Sequence, residues 1–155
     1  MARIILIGEA PGKNWKPSDV PLLGRIGKRL AILMGTNEYN YRWHTRRENL
    51  LQRWPGPARG NGSAWNAKLA ARAAARMERK GILGMPDSIV ILLGRRVARA
   101  FRFHESPWFK EWPQANGATI VVAPHPSGAS RWWNDPRNWN EACRFWRGIY
   151  ARATE

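Results

Sequence analysis

Apolar residues in this chain gather into four short runs separated by longer polar or amphipathic stretches. The runs are Ile4 to Ile7, a weaker one around Asn49 to Gln52, Ser88 to Leu93 and Thr119 to Ala123. Near-continuous Ile, Val and Leu without polar alternation predicts strands covered on both faces, as in parallel sheets. Helices are predicted between them over Leu23 to Met34, Ala64 to Lys80, Arg95 to Phe101 and Trp139 to Arg152. In the second helix Leu69, Ala73 and Met77 recur at helical spacing while Lys68, Arg72, Arg76 and Arg79 fall elsewhere, giving an apolar and a basic face. Gly35-Thr36-Asn37 closes the first helix, Gly81 and Gly84-Met85-Pro86 close the second, and Asn116-Gly117 opens the last strand. Strands alternating with helices predict an α/β domain with a mostly parallel sheet of four strands and right-handed crossovers.

Length and charge narrow this further. At 155 residues the chain supports one domain, spanning 1–155, with a real core. Lysine and arginine number 26 against 11 acidic residues, a net charge of +15, which makes a polyanion the expected partner. Arginine dominates the cations, and its planar fork suits phosphate oxygens. A single cysteine, Cys143, excludes an internal disulfide and a multi-cysteine metal or iron–sulfur site, and is read as a buried thiol of the last helix. The first apolar run is too short for a signal sequence or a membrane span, so a soluble, cytoplasmic protein is expected.

Two of the predicted strands run into loops that carry chemistry. Ile4 to Ile7 leads into Gly8-Glu9-Ala10-Pro11-Gly12, and Thr119 to Ala123 leads into Pro124-His125-Pro126-Ser127-Gly128. Each puts one titratable residue at a strand's carboxyl end, where open α/β sheets keep their ligand crevices. A carboxylate that can manage a proton and an imidazole that can hydrogen-bond or stabilise charge together suit hydrolysis. The first loop is not a phosphate-binding P-loop. Only three residues separate its glycines, and Asn14 follows Lys13 where that motif needs Ser or Thr. The long segment Arg53 to Ser63, rich in Gly and Pro, needs a functional reason for its length.

The ordered set Gly8-Glu9-Ala10-Pro11-Gly12, Pro21-Leu22-Leu23-Gly24-Arg25-Ile26-Gly27-Lys28, Asn49-Leu50-Leu51-Gln52-Arg53-Trp54-Pro55, Val90-Ile91-Leu92-Leu93-Gly94 and His125-Pro126-Ser127-Gly128 resembles the motifs of the uracil-DNA glycosylase superfamily. The family-four-like enzymes are the most similar branch, and the resemblance covers about Arg3 to Arg131. It implies a three-layer α/β/α fold and hydrolysis of the N-glycosidic bond of uracil or a related modified base flipped out of DNA. It assigns to Glu9 the orientation of water and stabilisation of positive charge on the sugar. To His125 it assigns a hydrogen bond to the pyrimidine O2, and to Asn49 the reading of the base edge. Ala10, Pro11, Gly12 and Leu22 fall in its base-binding motifs.

Departures from the pattern are informative. Leu22 stands where the family-four motif has a base-stacking phenylalanine, which leaves Trp15 as a substitute. The cluster-binding cysteines of that branch are missing, so neither a cofactor nor a metal is expected. Gly128 after Ser127 brings the second motif closer to the mismatch-specific branches, whose loop here fills the gap left by the flipped base. Ser127, Gly128, Ala129, Ser130 and Arg131 are therefore expected at DNA, as are Pro55 and Arg59 of the long loop. Trp132 and Trp133, beside Arg131, either stack on bases or cover core surface. The expected protein is a monomeric, monofunctional glycosylase. Its rival is a DNA-binding protein of the same fold that recognises an extruded or modified base without cleaving it.

Overall fold

The computed structural model describes residues 2–58, 64–127 and 130–155. Its elements run β1 (Arg3–Gly8), α1 (Arg25–Met34), α2 (Glu38–His44), β2 (Thr45–Asn49), α3 (Ala67–Arg79), β3 (Ser88–Leu93), α4 (Arg95–Ala100), β4 (Glu111–Pro113), β5 (Thr119–Ala123) and α5 (Pro136–Thr154). Among the described residues the sheet has five strands in the order β2-β1-β3-β5-β4. The first four are parallel, and only β4 pairs antiparallel, with β5.

This corrects the expectation of four strands. Three-residue β4 contains Pro113, which gives no ladder N–H, and such a strand is tolerated only at a sheet edge. The second strand also lies earlier than its apolar run suggests, over Thr45-Arg46-Arg47-Glu48-Asn49. An edge strand needs little apolar character, whereas Leu50 and Leu51 beyond its end are buried as loop residues whose N–H groups donate to the carbonyls of Gly8 and Glu9. Helix α2 is an addition to the expected elements.

The central strands β1, β3 and β5 are buried on both faces, and their side chains alternate between two cores. Ile4, Leu6, Ile89, Ile91, Leu93 and Val121 meet α1 and α5 on one side, around Leu30, Leu33, Met34 and Trp146. Ile5, Ile7, Val90, Leu92, Ile120 and Val122 meet α3 and α4 on the other, around Ala70, Ala74, Val97 and Phe101. The result is the three-layer α/β/α arrangement. The buried face of α3 centres on Ala70 and Ala74, while Ala73 and Met77 are half-buried; Leu69, expected inside, is 47% exposed.

Helix ends follow the local chemistry. Asn37, Asn66 and Asp135 each accept a hydrogen bond from a first-turn N–H of α2, α3 and α5, and Pro136 occupies the first turn of α5, where its missing N–H costs nothing. Among the described residues no helix is long and apolar enough to cross a membrane.

Candidate active site

Strand order fixes where a ligand can enter. From β1 the chain crosses to β2 on one side and later to β3 on the other, so the sheet switches direction between β1 and β3, and a crevice opens beyond their carboxyl ends. Glu9 follows β1, Gly94 follows β3, Asn49 ends β2 opposite Gly8, and His125 lies two residues beyond β5. A cleft of about 930 Å³ lies there. The structure brings Glu9, Ala10, Pro11, Gly12, Trp15, Leu22, Asn49 and His125 together on its walls.

The carboxylate and the imidazole face one another across Gly94. A Cβ on this glycine would lie 3.3 Å from His125 Cβ, 3.8 Å from His125 Cδ2 and 3.7 Å from Glu9 Oε1. Gly94 has φ 93° and ψ 163°, a region that is essentially glycine's alone, and its N–H donates to the Ala123 carbonyl at 2.8 Å. Its share in the site is a functional feature that the sequence reading missed, although a glycine between a buried strand and a helix was the available signal.

Glu9 lies 3.6 Å from the Arg96 guanidinium in the first turn of α4, and Arg96 in turn sits over the Trp65 ring at 5.6 Å. His125 is bound from both its backbone and its ring. The Ser127 N–H donates to its Nδ1 at 3.2 Å, and the Ser127 hydroxyl lies 2.9 Å from the same nitrogen. A backbone N–H can only donate, so Nδ1 accepts and the proton of the neutral ring sits on Nε2. Burial holds the His125 pKa below its ordinary value; the nearby Glu9 carboxylate opposes that shift and Arg96 adds to it. The ring is therefore a neutral Nε2–H donor at neutral pH.

Trp133 accounts for the backbone hold. Its indole Nε1 donates to the His125 carbonyl at 2.8 Å, while its ring packs edge-on against Trp132 and Trp139 with the Arg29 guanidinium 4.6 Å from its centroid. Trp132 and Trp133 are both partly buried and pack against the core beneath the second motif.

Leu22 is fixed as a wall rather than a loose side chain. It is 9% exposed and left-handed at φ 57°, and its carbonyl accepts the buried Tyr41 hydroxyl at 2.8 Å. Burial raises the Tyr41 pKa, which keeps that donor protonated. Gly8 lets Leu22 and Asn49 close in. A Cβ there would come within 2.9 Å of Leu22 Cδ2 and 3.2 Å of Asn49 Oδ1. The Asn49 backbone carbonyl accepts Gln52 Nε2 at 2.8 Å, but among the described residues its side-chain amide has no hydrogen-bond partner.

Among the described residues, the remaining expected DNA contacts are not drawn into the cleft. Pro55, Ser130 and Arg131 do not line it, and Ser127 acts on His125 instead. Arg59, Gly128 and Ala129 lie outside the described residues.

Comparison with known proteins agrees with this arrangement. No curated protein matches the chain. The model of the uracil DNA glycosylase superfamily matches it over residues 1–148, which includes every strand and each residue of the cleft. The chain belongs to the uracil DNA glycosylase superfamily.

Proposed function

We propose that this protein is a monofunctional DNA base glycosylase that hydrolyses the N-glycosidic bond of uracil or a related modified base flipped out of DNA. The observation that carries the reading is the opposition of Glu9 and His125 across Gly94, at the sheet's switch point. In a duplex the scissile bond is hidden, so the nucleotide is extruded into the cleft between Leu22 and Asn49 on one side and His125 on the other. As the C1′–N bond breaks, its electron pair passes to the base and the sugar becomes cationic. The His125 Nε2–H donates to the pyrimidine O2 and stabilises the departing anion, while the Glu9 carboxylate stabilises the cationic sugar and orients the water that adds to C1′. As the water oxygen bonds to C1′ it gives one proton to that carboxylate and keeps the other as the sugar hydroxyl, and the released base anion takes up a proton in turn. Asn49 offers a donor and an acceptor to the base edge, which its unpartnered amide leaves available.

The test is single-turnover excision from oligonucleotides carrying uracil, mismatched uracil, hypoxanthine or hydroxymethylated pyrimidines. The wild-type protein excises at least one of them. Glu9→Gln and His125→Ala each slow that excision by about a hundredfold or more, with much smaller changes in binding to the abasic product. Tight binding of an extruded base without excision from any substrate would establish the non-cleaving rival instead.

A further inference from the structure

The positive charge is organised as well as abundant. Lys68, Arg72, Arg76 and Lys80 recur every fourth residue along α3 and its cap, all exposed, and none forms an ion pair among the described residues. Each step advances about 6 Å, so the stripe is about 18 Å long. Like charges four apart on a helix repel, and a lysine in the first turn faces the positive end of the helix dipole. The chain accepts both costs and supports the helix with alanines at 67, 70, 71, 73, 74 and 75.

The stripe has a definite place relative to the cleft. It begins next to Trp65, which carries the Arg96 guanidinium that pairs with Glu9, and it ends at Gly81, which leads to the start of β3. It therefore descends the flank of the molecule from the cleft end of the sheet to the opposite end. Beside its lower half a groove of about 430 Å³ opens toward β2, with Arg76, Lys80 and the Arg46–Glu48 ion pair around it and Leu50, Met77 and Ile82 among its apolar lining. Cations at the rim and apolar surface within suit a chain that carries phosphates outside and bases inside.

We propose that α3 and the flank of β2 form a second nucleic-acid surface, which binds a single-stranded segment of DNA along the Lys68 to Lys80 stripe. A single strand is favoured over a duplex by direction. A duplex seated across the cleft mouth is a rod with a persistence length of about 150 bp, which cannot turn down the flank, whereas a single strand bends freely. The proposal goes beyond the reading of the cleft and is tested on DNA that holds no base to excise.

The experiment uses fluorescence anisotropy with an oligothymidylate of roughly 20 nucleotides, enough for one such site, and a uracil-free duplex of the same length. Wild type is compared with the full chain carrying Lys68→Gln, Arg72→Gln, Arg76→Gln and Lys80→Gln. Losing four phosphate contacts lowers the salt slope for the single strand by about 3, so the affinity lost between ~50 and ~200 mM salt shrinks by about fiftyfold; the duplex slope changes by less than one. An unchanged single-strand slope overturns the proposal, and so does an equal fall for the duplex. Displacement of oligothymidylate by polyglutamate as effective as by unlabelled oligothymidylate would identify the stripe as an acidic-polypeptide surface and overturn it too. If the quadruple variant melts early, Arg72→Gln with Arg76→Gln makes the same comparison, with about half the slope change expected.

Discussion

Gly94 offers the sharpest test of the site's geometry, because a single methyl group there sits between the two reacting side chains and presses on one of them. Gly94→Ala places a Cβ at φ 93° and ψ 163°, where the strain is about 1–3 kcal/mol. The same Cβ meets His125 Cβ at 3.3 Å, close to the backbone of the loop after β5, which must give by a few tenths of an ångström. Glu9 Oε1 at 3.7 Å is in ordinary contact, so the displacement falls mainly on the imidazole. For a domain of this size each kcal/mol lost lowers Tm by about 2–4 °C. Small misplacements of a catalytic group are amplified in rate, and single-turnover excision should fall on the order of tenfold to a hundredfold. Gly117→Ala supplies the control. Its φ of 89° imposes comparable strain in the turn before β5, at the far end of the sheet, where the nearest atom to the new Cβ is Asp87 N at 3.8 Å. Both variants should melt early, but only Gly94→Ala should excise slowly at a temperature where both are folded. Equal rates for the two would refute the argument that Gly94 spaces Glu9 from His125.

Two other predictions concern the groups around it. Since the folded His125 pKa lies below its unfolded value near 6.5, the neutral ring's contribution to stability is fully present above pH 6.5 and is lost as pH falls toward the folded pKa. NMR titration of the ring should show that pKa moving further down in Glu9→Gln and upward in Arg96→Gln; no movement in either variant would remove both neighbours from its electrostatics. Asn49→Asp should narrow the preference for uracil over cytosine in matched oligonucleotides, because a donor and acceptor mismatch costs about 1–3 kcal/mol per unsatisfied group; an unchanged ratio of excision rates in a folded variant counts against base reading by this residue.

What the sequence made legible follows from how strongly each element is constrained. Strands β1, β3 and β5 sit between two helical layers and must be apolar throughout, so their residues announce them. At the edges the constraint relaxes. β2 is built from Thr45, Arg46, Arg47, Glu48 and Asn49, and the adjacent Leu50 and Leu51 drew attention to the wrong residues. Helix α2 is seven residues long with aromatic and charged side chains at nearly every position, too short for a period to emerge. Glu9 and His125 stood out because titratable residues just beyond apolar strands are few, whereas Asn49, read as the start of an apolar run, was assigned only through the family resemblance. The indole of Trp133 holding the His125 carbonyl, and the Tyr41 hydroxyl holding that of Leu22, depend on side chains meeting backbone across layers, and sequence spacing does not encode such meetings.

The cleft draws its walls from the ends of three parallel strands, β1, β2 and β5, with Glu9 and His125 separated by most of the chain. Parallel neighbours are joined only by long crossovers, so the contacts between its walls are non-local and form late and slowly in folding. A hairpin enzyme could fray at one end and keep a working pair of groups; this one has no fragment that does. Any opening that lifts β1 from β3 parts the carboxylate from the imidazole in the same motion, so loss of activity on heating should follow the cooperative melting of the sheet rather than precede it.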